Sequence, residues 1–274
     1  MELKALLAST LVLPSIPRVL ALLLNQLERP EPDLKTITQL IGTDPALTVR
    51  LMQLSNAPFF KLSGRIHGVS ESLAILGLGH VRAMAAAAAA DASLRAVPGL
   101  NLNQFWGCSR DAARLARSLA GVVRLNQQAA YTSGLLHAIG EVAMHLNMPQ
   151  ALAALNPDIA PLDPRRSRAE RRALGFCYAQ VGAGFAAQWN FPQAVVDALA
   201  QQSAPFEGEA YEPLAGVLHL ASWRVRSREL GLPDDALADT FPGPVGDVLG
   251  LDIDMVLQQD PIDWHGGRTQ RANA

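Results

Sequence analysis

The sequence predicts an all-α protein, on three observations. Only 5% of the 274 residues are aromatic, while alanine and leucine dominate, a composition that favours helix over sheet. Apolar residues recur at three- and four-residue intervals along most of the chain, the period of a helix face. Helix start and stop signals punctuate the segments at intervals that suit helices.

The elements follow in order. Pro17 suits the first turn of a helix running to Arg29, because its missing N–H costs nothing there. Pro30 and Pro32 end it, and Asp33 caps a second helix through Leu34, Ile37, Leu40 and Ile41. Asp44-Pro45 starts a third, with Leu47, Leu51 and Leu54 on one face, and Asn56-Ala57-Pro58 stops it. Ser70 opens a short helix to Leu76. Gly77-Leu78-Gly79 then turns the chain into the run Ala85 to Ala90, whose small side chains suit close packing against neighbours. Pro98-Gly99 marks a boundary.

Asn101 to Arg124 is amphipathic, with Cys108, Ala112, Leu115 and Leu119 on one face and Arg110, Arg114 and Arg117 on another. One helix is expected from Ala129 to Asn147, and a proline-bearing loop from Asn156 to Pro164. Ser167-x-x-Glu170 has the form of a capping box opening a helix to Trp189. Shorter helices follow at Pro192–Gln202 and Pro213–Leu230. The Asp- and Pro-rich remainder is expected to be less regular, and its last ten residues mobile.

Composition excludes several classes. With 49% hydrophobic and 18% charged residues, the chain has the material for a full core and is not a disordered protein. Two cysteines, Cys108 and Cys177, do not make a disulfide scaffold, and their spacing matches no thiolate metal motif. The net charge of −2 gives no general affinity for nucleic acid. It hides an asymmetry: residues 229–267 hold nine acidic residues and no Lys or Arg, while residues 1–228 carry a net +5. No membrane span is expected, since the charge-free stretch from Ala5 to Pro17 is short and holds two prolines. Lys4 before Ala5-Leu6-Leu7-Ala8 is not expected to make a signal peptide, because Glu2 offsets it and no cleavage site follows. The expected location is the cytoplasm.

Several motifs invite chemistry and fail on spacing. Gly77-x-Gly79 has Arg82 where a dinucleotide loop needs a small residue, and no βαβ unit surrounds it. His137, Glu141 and His145 share a helical face, but the two histidines would stand about 12 Å apart along the axis, too far for one ion. No nucleophile elbow or P-loop occurs. Arg165, Arg166, Arg168, Arg171 and Arg172 cluster where a helix begins, against the macrodipole. They read either as a solvated turn partnered by Asp163 and Glu170, or as a candidate surface for an anionic partner.

A set of segments in order resembles the HDOD domain family. The N-terminal ones are Leu13-Pro14-Ser15-Ile16-Pro17, Ile41-Gly42-Thr43-Asp44-Pro45-Ala46-Leu47-Thr48-Val49-Arg50-Leu51, Leu54-Ser55-Asn56-Ala57 and Ser72-Leu73-Ala74-Ile75-Leu76-Gly77-Leu78. Phe105-Trp106, Ser133-Gly134-Leu135-Leu136-His137-Ala138-Ile139-Gly140, Val181-Gly182-Ala183 with Trp189-x-Phe191-Pro192, and Leu218-His219-Leu220-Ala221 continue it. The resemblance implies a multi-helical domain of two packed lobes, the second similar to the HD fold. On that basis residues 1–98 form the N-terminal lobe, 99–230 the HD-like lobe, and 231–274 an acidic extension.

The family is related to HD-superfamily metal-dependent phosphohydrolases, in which histidines and aspartates converge on metal. Aligned on that pattern, the ligand positions fall on Cys108, His137, Ala138, Gln201, Gln202 and Ser222, a vestigial pocket in which only His137 keeps its ligand type. A single imidazole cannot hold a catalytic divalent ion, and without one nothing brings the pKa of water toward 7. The resemblance therefore implies a stand-alone regulatory module of bacterial signal transduction, with no catalytic or metal-binding residues and no cofactor. It would act through protein partners, with no membrane or general nucleic-acid contact, and a small anionic or nucleotide ligand stays open. The alternative is a metal-dependent phosphohydrolase acting on a nucleotide or cyclic dinucleotide.

Overall fold

The structure, a computed structural model, describes residues 2–91, 96–208 and 210–264. The tail expected to be mobile, residues 265–274, lies outside the described residues. The chain is all-α, and among the described residues the only β pairing is one bridge, Val97 to Leu100, closing the turn at Pro98-Gly99.

The first half holds α1 (Leu3–Leu7), α2 (Pro17–Leu27), α3 (Leu34–Gly42), α4 (Pro45–Ser55) and α5 (Val69–Ala90). Their starts obey the capping signals. The Asp33 carboxylate accepts from the backbone N–H groups of Lys35 and Thr36, and that of Asp44 from Leu47. Asp44 also accepts from Ile16 N at 2.6 Å, which fixes the entry to α2. Burial raises its pKa to about 6, against these hydrogen bonds. Leu20, Leu23, Ile37, Ile41, Leu51 and Val81 form the core between α2 and α5. Buried Asn56 ties the following loop together: its Nδ2 donates to Met52 O and Ile66 O, and its Oδ1 accepts from Gly64 N.

By length and composition α5 could cross a membrane. It is kinked at Gly77, where φ is +67°, a left-handed value that glycine adopts freely, and Leu76, Val81 and Met84 pack into the core. The alanine run is less enclosed than its composition suggests. Only Ala85 and Ala88 between residues 85 and 90 are buried, and Ala86, Ala87, Ala89 and Ala90 are exposed.

The second half holds α6 (Leu102–Val122), α7 (Gln127–Leu136), α8 (Ile139–Asn147), α9 (Pro149–Leu155), α10 (Arg166–Leu174), α11 (Tyr178–Gln188), α12 (Gln193–Gln201) and α13 (Pro213–Glu229). Three short helices complete the chain: α14 (Asp234–Thr240), α15 (Gly243–Leu249) and α16 (Ile253–Leu257). The acidic remainder is thus more regular than expected, with Asp252 capping α16 through Met255 N. Leu13, Ala46, Val49 and Met52 join the core of the second half, so the halves share packed side chains. Tyr131 Oη donates to Gly42 O and Thr132 Oγ1 to His67 O across the same junction.

Two helices expected as single are each divided. The one over Ala129–Asn147 breaks at His137-Ala138, where Ala138 has φ −114° and ψ 15°. Glycines on both sides of the break allow very close contact: a Cβ on Gly134 would stand 2.6 Å from Ala113 Cα, and one on Gly140 would overlap Tyr178 O. The Ser167–Glu170 segment is not a capping box, and its helix stops at Leu174, with Gly175 left-handed at φ +84°. Glu170 points inward instead, and the box that opens α11 is formed by Cys177 and Gln180.

Candidate functional site

The break between α7 and α8 turns His137 into the interior, where it is 3% exposed. Its Nδ1 pairs with Gly134 O at 2.8 Å, which places the proton on Nδ1 and leaves Nε2 as an acceptor. Burial, reinforced by the positive charge of Arg226, lowers its pKa to about 4, so the ring is neutral at pH 7. The backbone carbonyl of His137 accepts from Gln202 Nε2 at 2.8 Å. Gln202 follows the last residue of α12 and accepts at its own carbonyl from His219 Nδ1 at 2.7 Å. His219 lies on α13, so one chain of hydrogen bonds joins the α7–α8 break to α12 and α13.

Beside this chain lies a cavity of about 500 Å³, walled by Tyr178, Gln202, His219, Ser222, Trp223 and Arg226. Arg226 Nη2 donates to Tyr178 Oη at 2.8 Å. Leu230, Leu232 and Pro242 extend the wall with apolar surface.

The residues aligned with the ligand pattern are only partly gathered there. Gln202 and Ser222 line the cavity, and His137 joins it through Gln202. Ala138 is packed in the core. Gln201 approaches Gly208 instead. Cys108 stands apart, in an apolar cluster with Ala112 and Val225. Burial pushes its thiol pKa up, as do the charges of Glu229 and Asp111.

This donor set does not fit a divalent metal. It offers the His137 Nε2 lone pair and neutral side chains facing a guanidinium, with no carboxylate to offset ionic charge. Among the described residues, no three His, Cys, Asp or Glu side chains are arranged to hold an ion. Glu141 and His145, which the sequence puts on one face with His137, are separated from it by the break and committed elsewhere. His145 Nδ1 pairs with Glu141 O at 2.8 Å and its Nε2 with Asn156 Nδ2 at 3.1 Å.

The arginine cluster divides. Arg166 belongs to no surface: it is fully buried, with Nε 2.8 Å from both Glu141 and Glu170. The carboxylates account for its inward turn. Glu170 also accepts from Tyr178 N at 2.7 Å, locking α10 to α11. Burial and the neighbouring Glu170 charge push the pKa of Glu141 well up. Arg165 is exposed and paired with Asp163 at 2.8 Å. Arg168 and Arg172 are exposed. Arg171 is half-buried between Glu207 and Ser203, at 3.0 and 3.2 Å.

Sequence reasoning missed Arg226, Tyr178 and Trp223 as parts of one wall, and used His219 only within a motif. The available signal was the polar and aromatic stripe His219, Ser222, Trp223 and Arg226, spaced i, i+3, i+4 and i+7 along one face of the helix.

The HDOD domain family model matches residues 13–205. The chain matches no curated protein. Among solved structures it is similar to the MmoQ response regulator from Methylococcus capsulatus str. Bath, at 22% identity over 90% of this chain and 97% of that one, with a TM-score of 0.71. A virulence factor from Campylobacter jejuni subsp. jejuni matches at 20% identity over 95% and 96% of the two chains, with a TM-score of 0.67. A candidate phosphohydrolase from Shewanella amazonensis SB2B matches at 25% identity over 90% of each chain, with a TM-score of 0.51.

Proposed function

The chain belongs to the HDOD domain family, and from that premise we propose that it is a non-catalytic regulatory module of bacterial signal transduction, acting by protein contact. The observation that carries this reading is the surroundings of His137. In the HD arrangement an aspartate would follow this histidine, and here Ala138 does. The positive charge that reaches the ring is that of Arg226 on α13. A guanidinium within electrostatic reach of the one remaining imidazole opposes a divalent ion there, and no bound water is then activated. Cys108, Gln201, Gln202 and Ser222 complete the vestigial set, none of them a charged oxygen donor.

The exposed arginines Arg165, Arg168 and Arg172, with Arg171 beside them, form a surface suited to an acidic protein face. Surface cations contribute little to folding, whereas at an interface one can be worth about 2 kcal/mol or more. Arg168→Glu with Arg172→Glu should therefore weaken such a partner and leave the melting temperature in place.

The likeness to the Shewanella protein favours a second reading, a metal-dependent phosphohydrolase using carboxylates outside the aligned set. Elemental analysis of the purified chain after dialysis separates the two. The regulatory reading expects no stoichiometric metal, and Mn, Fe, Ni or Mg retained at one equivalent or more would favour the enzyme.

A further inference from the structure

The cavity beside Gln202 is lined by a cation that forms no ion pair among the described residues. Among the described residues the Arg226 side chain has one hydrogen bond, to Tyr178 Oη, and no carboxylate within ion-pair distance. Its Nε is buried without a partner, and so are Ser222 Oγ, one helical turn away, and Gln202 Oε1. Buried polar atoms are nearly always satisfied, and here three unsatisfied ones belong to residues walling one cavity. The volume, about 500 Å³, lies in the usual range for small-molecule sites, roughly 300–1,000 Å³.

The charge of Arg226 is felt throughout this region, lowering the pKa of His137, His219 and Tyr178 against or alongside the effect of their burial. It also reaches Asp163 and Glu141. Each of those is committed elsewhere, Asp163 to Arg165 and Glu141 to Arg166. Trp223, Leu230, Leu232 and Pro242 supply the rest of the wall, and an inorganic ion would leave that apolar surface uncovered.

We infer that this cavity binds a small organic anion, with its phosphate or carboxylate group held by Arg226 and Ser222 and its apolar or aromatic body against Trp223 and Leu232. The inference rests on the non-catalytic reading, because the anion is bound through a guanidinium and not turned over on a metal. It also gives a role to chain beyond the family match, which ends at residue 205: Arg226, Trp223 and Leu232 all come later. A ligand seated there would touch Gln202, whose amide holds the α7–α8 break, so occupancy would be communicated to the middle of the second half.

Isothermal titration of the full chain with phenyl phosphate and with benzoate tests this, with phenol as the uncharged control. One-to-one binding of either anion at millimolar concentration or tighter is expected, with a rise in melting temperature that phenol does not produce; the tighter anion identifies the headgroup. Arg226→Gln should weaken binding about tenfold or more, the loss of a charge-assisted contact. Arg228→Gln, on the same helix but stacked on Trp264, should not. Leu232→Trp, which fills the cavity from a half-buried loop position, should abolish binding with the fold retained. Absence of binding by both anions, or unchanged affinity in Arg226→Gln, would overturn the inference. Release of phenol from bound phenyl phosphate would contradict the non-catalytic reading and leave the binding site standing.

Discussion

Gln202 donates from Nε2 to the backbone carbonyl of His137 across 2.8 Å, pinning the end of α12 to the break between α7 and α8. The same nitrogen also donates to Leu199 O at 3.0 Å. A side chain in this position does structural work that a metal-binding histidine would not do. A carbonyl left buried without its donor costs about 1–3 kcal/mol, so Gln202→Leu should lower the melting temperature by several degrees. An unchanged thermal melt would show that the bond is not part of the folded state's stability.

Arg166 supplies the sharpest stability contrast in the arginine cluster. Removing it leaves Glu141 and Glu170 buried without their cation, so Arg166→Met should cost about 3–5 kcal/mol in urea denaturation. Exposed Arg168→Ala should stay within about 0.5 kcal/mol of the parent. Glu141→Gln, which keeps the side-chain shape and removes a charge that burial already disfavours, should cost far less than Arg166→Met.

His137 makes folding pH-dependent in a defined direction. Its folded pKa, about 4, lies below the ordinary histidine value of about 6.5. Between those values the unfolded chain binds the proton and the folded chain does not, so this contribution is full above about pH 6.5 and is lost as the pH falls toward 4. Asp44 acts oppositely: with its folded pKa raised to about 6, its ionisation costs stability as the pH rises through that value. The His137 share is isolated by difference. Denaturation of His137→Gln between pH 4 and 7 should show a shallower fall in stability on acidification than the parent, and an equal slope would rule out a buried neutral imidazole.

The local signals in the sequence were sufficient where a side chain and its own helix decide the outcome. Asp33 and Asp44-Pro45 each start the helix that they cap. The signals failed where partners distant in sequence decide it. Nothing near Ser167 reveals that Arg166 and Glu170 turn inward to meet Glu141 and Tyr178. The division at His137-Ala138 depends on contacts that Gly134 makes with Ala113 and Gly140 makes with Tyr178, which no helix periodicity reports. At the candidate site, alignment on the family pattern led to Gln202 and Ser222, two residues of the cavity wall. Arg226 was not found because no motif covers it, although its spacing from His219 and Ser222 puts it on their face.

Hydrolysis by the purified chain tests the central claim most directly. Phosphomonoester and phosphodiester substrates, assayed with Mg²⁺, Mn²⁺ and Fe²⁺, should be turned over no faster than without protein. Ala138→Asp should not create activity, because metal affinity needs several ligands oriented by supporting contacts. Metal-dependent turnover that His137→Ala abolishes, with the thermal melt intact, would contradict the account.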